Sequence, residues 1–243
     1  MSRFTPLFSA ALLSALLSGC ASTTNPESLA QNDPYEPTNR AVFDFDIKLD
    51  RNVASPIARG YNYVVPSLAR DGVHNILTNL NSPVVFANDV LQGNLNRAGR
   101  TLFRAVINST FGLGGLLDAA GKSGVPAHEE DFGQTLAVWG SGEGAYLVLP
   151  FVGPRPPRDL AGSVIDNAFD PFTYAKFKNV DTFNVVRAGM NILDYRAANV
   201  ETLEQIERSS IDFYATTRSL YRQHRNAEIS NGEAEAGDLP ELQ

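Results

Sequence analysis

The chain has 243 residues, 43% of them apolar and 19% charged, with a formal net charge of −7. This is the composition of a globular protein, long enough for one sizeable core or two small ones. The acidic balance argues against nucleic acid as a partner.

Residues 1–19 have the layout of an export signal. Arg3 supplies the positive start, and an apolar stretch over 4–17 follows. That stretch is too short for a permanent membrane-spanning helix. It ends in Leu17-Ser18-Gly19-Cys20, which resembles the lipobox of bacterial lipoproteins. Such a box implies a diacylglycerol on the Cys20 thiol, cleavage before it, and an acyl chain on the new amine. Cys20 is the chain's single cysteine, so a disulfide within the chain gives no alternative use for the thiol. Residue 21 is Ala rather than Asp, which in bacteria that sort lipoproteins directs passage to the outer membrane.

Residues 20–32 then form a short polar tether, whose eleven residues from Ala21 to Gln31 reach roughly 35–40 Å when extended. The body, residues 33–225, therefore begins close to a bilayer. The turn-rich entry Asp33-Pro34-Tyr35-Glu36-Pro37 leads to a helix expected over 40–50, capped by Thr38 or Asn39. Its apolar positions Val42, Phe43, Phe45, Ile47 and Leu49 fit no single face. That pattern fits burial on more than one side, or lipid contact. Pro56 and Pro66 bound a helical piece over 57–65. A helix over 67–80 follows, with a break at 79–83 around Pro83. Residues 84–91 are apolar, and 96–108 read as helix through Leu102, Phe103, Val106 and Ile107.

Glycines then recur among bulky apolar residues at 111–118 and again from 131 to 154. A loop or hairpin is expected at Gly140-Ser141-Gly142-Glu143-Gly144. Helices are expected over 184–198, capped by Asn184, and continuously over 199–226. Residues 226–243 form an acidic tail with no base after Arg225, and are expected to be disordered. No run of 18 apolar residues follows Cys20.

Catalytic patterns are weak throughout. Gly121-Lys122-Ser123 lacks the leading glycine of a phosphate loop, because residue 116 is Leu. Asp131-Phe132-Gly133 has no kinase catalytic loop upstream. His128-Glu129-Glu130-Asp131 reads as a solvated acidic turn rather than a metal site, since adjacent ligands point apart. The chain is therefore expected to be no enzyme and to hold no metal or cofactor beyond the lipid on Cys20. What it offers is apolar surface at joints that normally carry polar residues.

Several longer words are more specific. Asp33-Pro34-Tyr35-Glu36-Pro37-Thr38-Asn39-Arg40, Asn108-Ser109-Thr110-Phe111-Gly112-Leu113-Gly114-Gly115, Asp131-Phe132-Gly133-Gln134-Thr135-Leu136, Trp139-Gly140 and Tyr146-Leu147-Val148-Leu149-Pro150 resemble the MlaA/VacJ family of outer-membrane lipoproteins. So does Gly153-Pro154-Arg155 followed by Arg158-Asp159. The resemblance runs from about 33 to 221 and leaves out the tail.

It implies a mainly α fold: a compact helical ring in the inner leaflet of the outer membrane, with a central amphipathic channel. It implies removal of misplaced phospholipid from the outer leaflet and delivery to a soluble periplasmic carrier of the MlaC type. It further implies association with a trimeric porin of the OmpC/OmpF type, and a location on the periplasmic side of the outer membrane. Gly140, Gly142, Gly144, Tyr146 and Leu147 would line the channel as a flexible hairpin. Arg40 and Lys48 would meet phosphate, or else form ordinary ion pairs. A structural lipoprotein that braces porins without transport is the alternative. A lipid hydrolase would need an activated nucleophile, and none is found.

Overall fold

The computed structural model describes residues 22–231. Cys20 and most of the acidic tail lie outside them. The described chain is mainly helical. Helix α1 (Pro26–Ala30) is capped by Asn25, and α2 (Glu36–Leu49) carries a proline in its first turn, where a missing N–H costs nothing. The cap expected from Thr38 or Asn39 is not made, because the helix starts earlier, at Glu36. Asn39 is buried instead. It donates to Asp33 Oδ1 at 2.8 Å and to the Tyr146 carbonyl at 2.9 Å, and it accepts from the Val148 amide at 3.0 Å.

A π-helical turn (Asp50–Ala54) joins α2 to α3 (Ser55–Val64) without a break. Pro56 has no N–H for the regular ladder, and the Ser55 amide reaches five residues back to the Asp50 carbonyl. Val65 is extended because Pro66 follows it.

Helix α4 (Ser67–Leu91) runs through Pro83, so the break expected at 79–83 is absent. An internal proline costs about 3 kcal/mol. Packing offsets it, since α4 lies against α5 (Leu95–Thr110) in a helical hairpin and also against α7 (Phe132–Val138) and α8 (Pro157–Phe169). Gly93, at φ +77°, makes the hairpin turn, and Asn94 caps α5. A one-turn helix α6 (Ala119–Lys122) is capped by Asp118, and Asp131 caps α7. The strands β1 (Val148–Leu149) and β2 (Gly153–Pro154) pair antiparallel, with Val148 opposite Pro154 and Leu149 opposite Gly153.

Three further α-helices complete the described residues: α9 (Val180–Ala198), α10 (Val200–Ser209) and α11 (Phe213–Ile229). Helix α9 starts four residues before the expected Asn184 cap. The helix expected over 199–226 is broken at Ser210, whose backbone is extended, and restarts behind the Asp212 cap. The acidic tail, expected to be disordered from 226, is helical as far as Ile229.

The helix contacts close on themselves. Helix α3 packs on α9, α9 on α4, α4 on α7, α7 on α11, α11 on α10, and α10 back on α3. The buried apolar clusters are small. One joins Phe43, Tyr146, Val148 and Tyr214, and the other joins Ala58, Ala197 and Val200.

Candidate functional site

The apolar side chains of this fold face largely outward. Tyr63 is 92% exposed and Phe111 75%, and Leu68, Leu95, Phe151 and Val185 are similarly bare. Helix α5 shows how this arises. Its buried face is Ala98, Thr101, Arg104 and Asn108, while Leu95, Leu102, Phe103 and Val106 point away from the fold. The spacing is helical, but the polarity is reversed from that of a water-soluble helix. Scattered exposed apolar residues are ordinary; a set this broad marks a contact surface.

A polar frame holds the helices from within. Asp89 is fully buried and accepts from Thr101 Oγ1 at 2.6 Å, with His128 Nε2 at 3.0 Å. Beside it Glu130 receives Arg97 and Gln92, each at 2.7 Å. Burial outweighs both partners and raises the Glu130 pKa above the usual carboxylate value. The segment 128–131 is thus no solvated turn: Glu130 is buried among charged partners and Asp131 is an N-cap.

Asp118 draws Arg104 and Asn108 to 3.0 Å and caps α6 through the Gly121 amide at 2.9 Å. Arg225 of α11 bridges Asp131 at 2.6 Å and Asp159 at 3.0 Å, tying α11 to α7 and α8. Burial alone would raise the Asp159 pKa. The bonds from Arg158 and Tyr221 and the Arg225 charge more than reverse this, and hold it below the usual value. Such buried charges persist only because each is paired.

The glycine segment is a loop rather than a hairpin, and the hairpin lies further on, at β1 and β2. Gly140, at φ +92°, ends α7, and the Ser141 amide closes that end on the Leu136 carbonyl at 2.9 Å. Beyond it the Tyr146 amide and carbonyl and the Val148 amide are taken by Asn32 and Asn39, and the Leu147 carbonyl by the Arg155 amide at 2.8 Å. Gly144, at φ +79°, sits against the Pro157 ring. Asn32 donates to the Gly144 carbonyl at 2.7 Å, and Arg222 pairs with Glu143 at 2.8 Å. Between these ties Gly142 is exposed, with nothing within 4 Å of where a Cβ would sit.

Tyr146 does not line an opening. It is fully buried, edge-on to Tyr214 and Tyr221 with ring centres 6.2 Å from each, and Arg222 stacks on it. Leu147 beside it is partly buried.

Arg40 is committed to protein partners. It grips Asp212 at 2.6 and 3.0 Å, meets Glu36 at 2.7 Å and covers the Tyr214 ring. Lys48, roughly two turns along α2, is exposed and lies apart from the Arg40 ion pairs. The structure therefore does not join Arg40 and Lys48 in one site. Among the described residues no group of three His, Cys, Asp or Glu side chains could hold a metal. What sequence reading missed is the inward polar face of α5. Its signal was the spacing of Thr101, Arg104 and Asn108, hidden behind the more conspicuous apolar face.

The sequence model of the MlaA lipoprotein family matches residues 31–228. The intermembrane phospholipid transport system lipoprotein MlaA of Haemophilus influenzae is 35% identical over 228 residues, covering 91% of this chain and 90% of the relative. The protein of the same name in Escherichia coli K12 is 30% identical over 237 residues, covering 96% and 92%. A Rickettsia felis protein is 34% identical over 198 residues, covering 81% and 78%. A solved structure described as "Structural basis for maintenance of bacterial outer membrane lipid asymmetry" superposes with a TM-score of 0.73 at 30% identity, covering 81% of this chain and 98% of that one.

Proposed function

The chain belongs to the MlaA lipoprotein family, and from that premise we propose that it removes misplaced phospholipid from the outer leaflet of the outer membrane and hands it to a soluble periplasmic carrier. The observation that carries this reading is the reversed polarity of the fold: apolar side chains outside, a paired polar frame within. Among the described residues no helix is long and apolar enough to cross a membrane. A ring of helices lying in one leaflet uses its apolar exterior against acyl chains instead. The diacylglycerol and acyl chain on Cys20 hold it at the periplasmic side.

Moving a phospholipid between environments requires a path for both ends of the molecule. A headgroup crossing hydrocarbon unaided loses its hydration, at a cost of many kcal/mol for a bare charge. An amphipathic channel through the helical ring supplies polar partners to the headgroup while the chains stay in apolar surroundings. No covalent bond changes. We place the loop of Gly140, Gly142 and Gly144, with Leu147, at the edge of that path, and Tyr146 as the buried post on which it is fixed. A trimeric porin of the OmpC/OmpF type covers part of the apolar exterior, and an MlaC-like carrier receives the lipid.

The test is the phospholipid content of the outer leaflet in cells lacking the protein, restored with the intact chain or with Gly142→Trp. Phospholipid should accumulate in its absence, fall to normal with the intact chain, and stay high with a folded Gly142→Trp. No accumulation would sink the transport reading and leave a porin-bracing lipoprotein.

A further inference from the structure

The connector from α8 to α9, residues 170–179, has the wrong composition for a loop that faces only water. It interleaves Phe172, Tyr174 and Phe177 with Lys176 and Lys178. Tyr174 is 64% exposed and Phe177 46%. Both flanking helices are bare on the outside as well. Leu160 and Val164 stand out from α8, and Val185, Val186 and Ile192 from α9. The connector thus joins two stretches of the apolar exterior.

Its shape is fixed from within. Phe183 of α9 packs on both Phe172 and Phe177, with ring centres 5.0 and 5.7 Å away. Thr173 Oγ1 donates to the Asn167 carbonyl at 2.7 Å, and the Tyr174 hydroxyl to the Ala168 carbonyl at 3.2 Å, so the connector is tied back to the end of α8. The two lysines are therefore carried on an ordered scaffold, and binding through them orders little beyond their own side chains.

Charge selects the occupant. The whole chain carries −7, yet this connector is positive. Its one acid, Asp170, is neutralised by Arg187, whose guanidinium also covers the Phe172 ring at 4.9 Å. The next acid, Asp181, lies in the first turn of α9, where a carboxylate complements the helix dipole. Lys176 and Lys178 are exposed, and among the described residues neither forms an ion pair. Solvated lysines alone would leave the bare rings unexplained. Ammonium groups beside exposed aromatic rings match a boundary that is apolar on one side and anionic on the other. We propose that this connector contacts anionic glycerophospholipid, with Lys176 and Lys178 on the phosphates of net-negative headgroups such as phosphatidylglycerol. Tyr174 and Phe177 then lie at the start of the acyl chains. That a bilayer covers this side of the molecule rests on the phospholipid reading above.

The experiment places the full, lipidated protein in phosphatidylcholine vesicles holding a trace of spin-labelled phosphatidylglycerol or spin-labelled phosphatidylcholine. Electron spin resonance then gives the fraction of each label slowed at the protein surface. The intact protein should favour the glycerol lipid about fivefold, and high salt should shrink that preference. The double variant Lys176→Gln, Lys178→Gln should bring the ratio close to one. Its melt should be unchanged, since both side chains are exposed. Lys122→Gln, an exposed lysine on α6, is the control and should keep the preference.

Equal slowing of the two lipids by the intact protein would overturn the proposal. So would a preference that survives in the double variant, or one that Lys122→Gln removes equally, since either would make it a property of diffuse charge. A double variant that keeps its lipid preference but no longer co-purifies with porin would give the lysines to a protein partner instead. None of these results bears on the outer-leaflet phospholipid assay. A lysine-dependent preference with no phospholipid accumulation in deleted cells would keep this contact and remove the transport reading.

Discussion

Arg40 grips Asp212 with two nitrogens, and the bond holds the Asp212 carboxyl down to about 2, from an ordinary value of 3.8. A folded-state pKa below the unfolded one means stability that is present above 3.8 and lost as pH falls through about 2. Asp212→Asn keeps an oxygen to cap α11 through the Ala215 amide, so it removes the ion pair more than the cap. The variant should melt slightly lower at neutral pH, by the roughly 0.2–1 kcal/mol of an exposed pair. It should also lack one increment of the acid-induced loss seen in the parent, which thermal melts across that pH window will show. A variant with the same acid slope as the parent would mean that the pair contributes nothing. Gly142 makes a second prediction at this scale. With open space around its Cβ position and ordinary φ, Gly142→Trp should keep the melt within about 0.5 kcal/mol of the parent. The residue types at 40 and 140–146 were legible in the sequence, but their partners were not: Asp212 lies 172 positions from Arg40, and only the fold brings them together.

At the scale of elements, glycines decide how closely helices approach. A Cβ on Gly162 of α8 would stand 2.3 Å from the Gly133 nitrogen and 2.7 Å from its Cα, both backbone atoms of α7 that cannot swing aside. Gly162→Ala should therefore push the two helices apart and destabilise the fold by about 1–3 kcal/mol. Gly60 of α3 is the control. It is exposed in helical backbone with nothing within 4 Å, so Gly60→Ala should stabilise by about 0.4–1 kcal/mol. Denaturant melts in detergent compare the two directly, and equal effects would refute the close-packing account. Helix positions were largely readable from the sequence because 3.6-residue periodicity does not depend on which side faces the core. Which side faces inward was not readable. In α5 the apolar stripe is the outer one, and the usual inference from apolar face to core inverts. Pro83 misled for a related reason, since its local cost is offset by α5, α7 and α8, which lie far along the chain or beyond reach of local rules. Ser210 gave no warning of the break between α10 and α11.

For the whole molecule, the question is what holds it at the bilayer. Sequence alone pointed to the lipid on Cys20, and one acyl chain binds a membrane only marginally while several bind firmly. The bare apolar side chains predict a second attachment. Tyr63, Leu68, Phe111 and Val185 come from three helices and a joint, and buried apolar surface contributes about 25 cal/mol per Å². A few such side chains in lipid rival an acyl chain. A Cys20→Ala chain, exported by an ordinary cleavable signal, should therefore still sediment with membranes, resist a high-salt wash and be released by detergent. Salt resistance is the informative part, because purely electrostatic attachment would be screened. Adding Leu68→Glu and Val185→Glu should release this unlipidated chain while leaving its melt in detergent nearly unchanged, since neither side chain supports the interior. Retention that survives both charges would place these positions away from lipid, against a protein neighbour. Release of Cys20→Ala by itself would leave the covalent lipid as the only anchor and remove the apolar exterior as support for the transport reading.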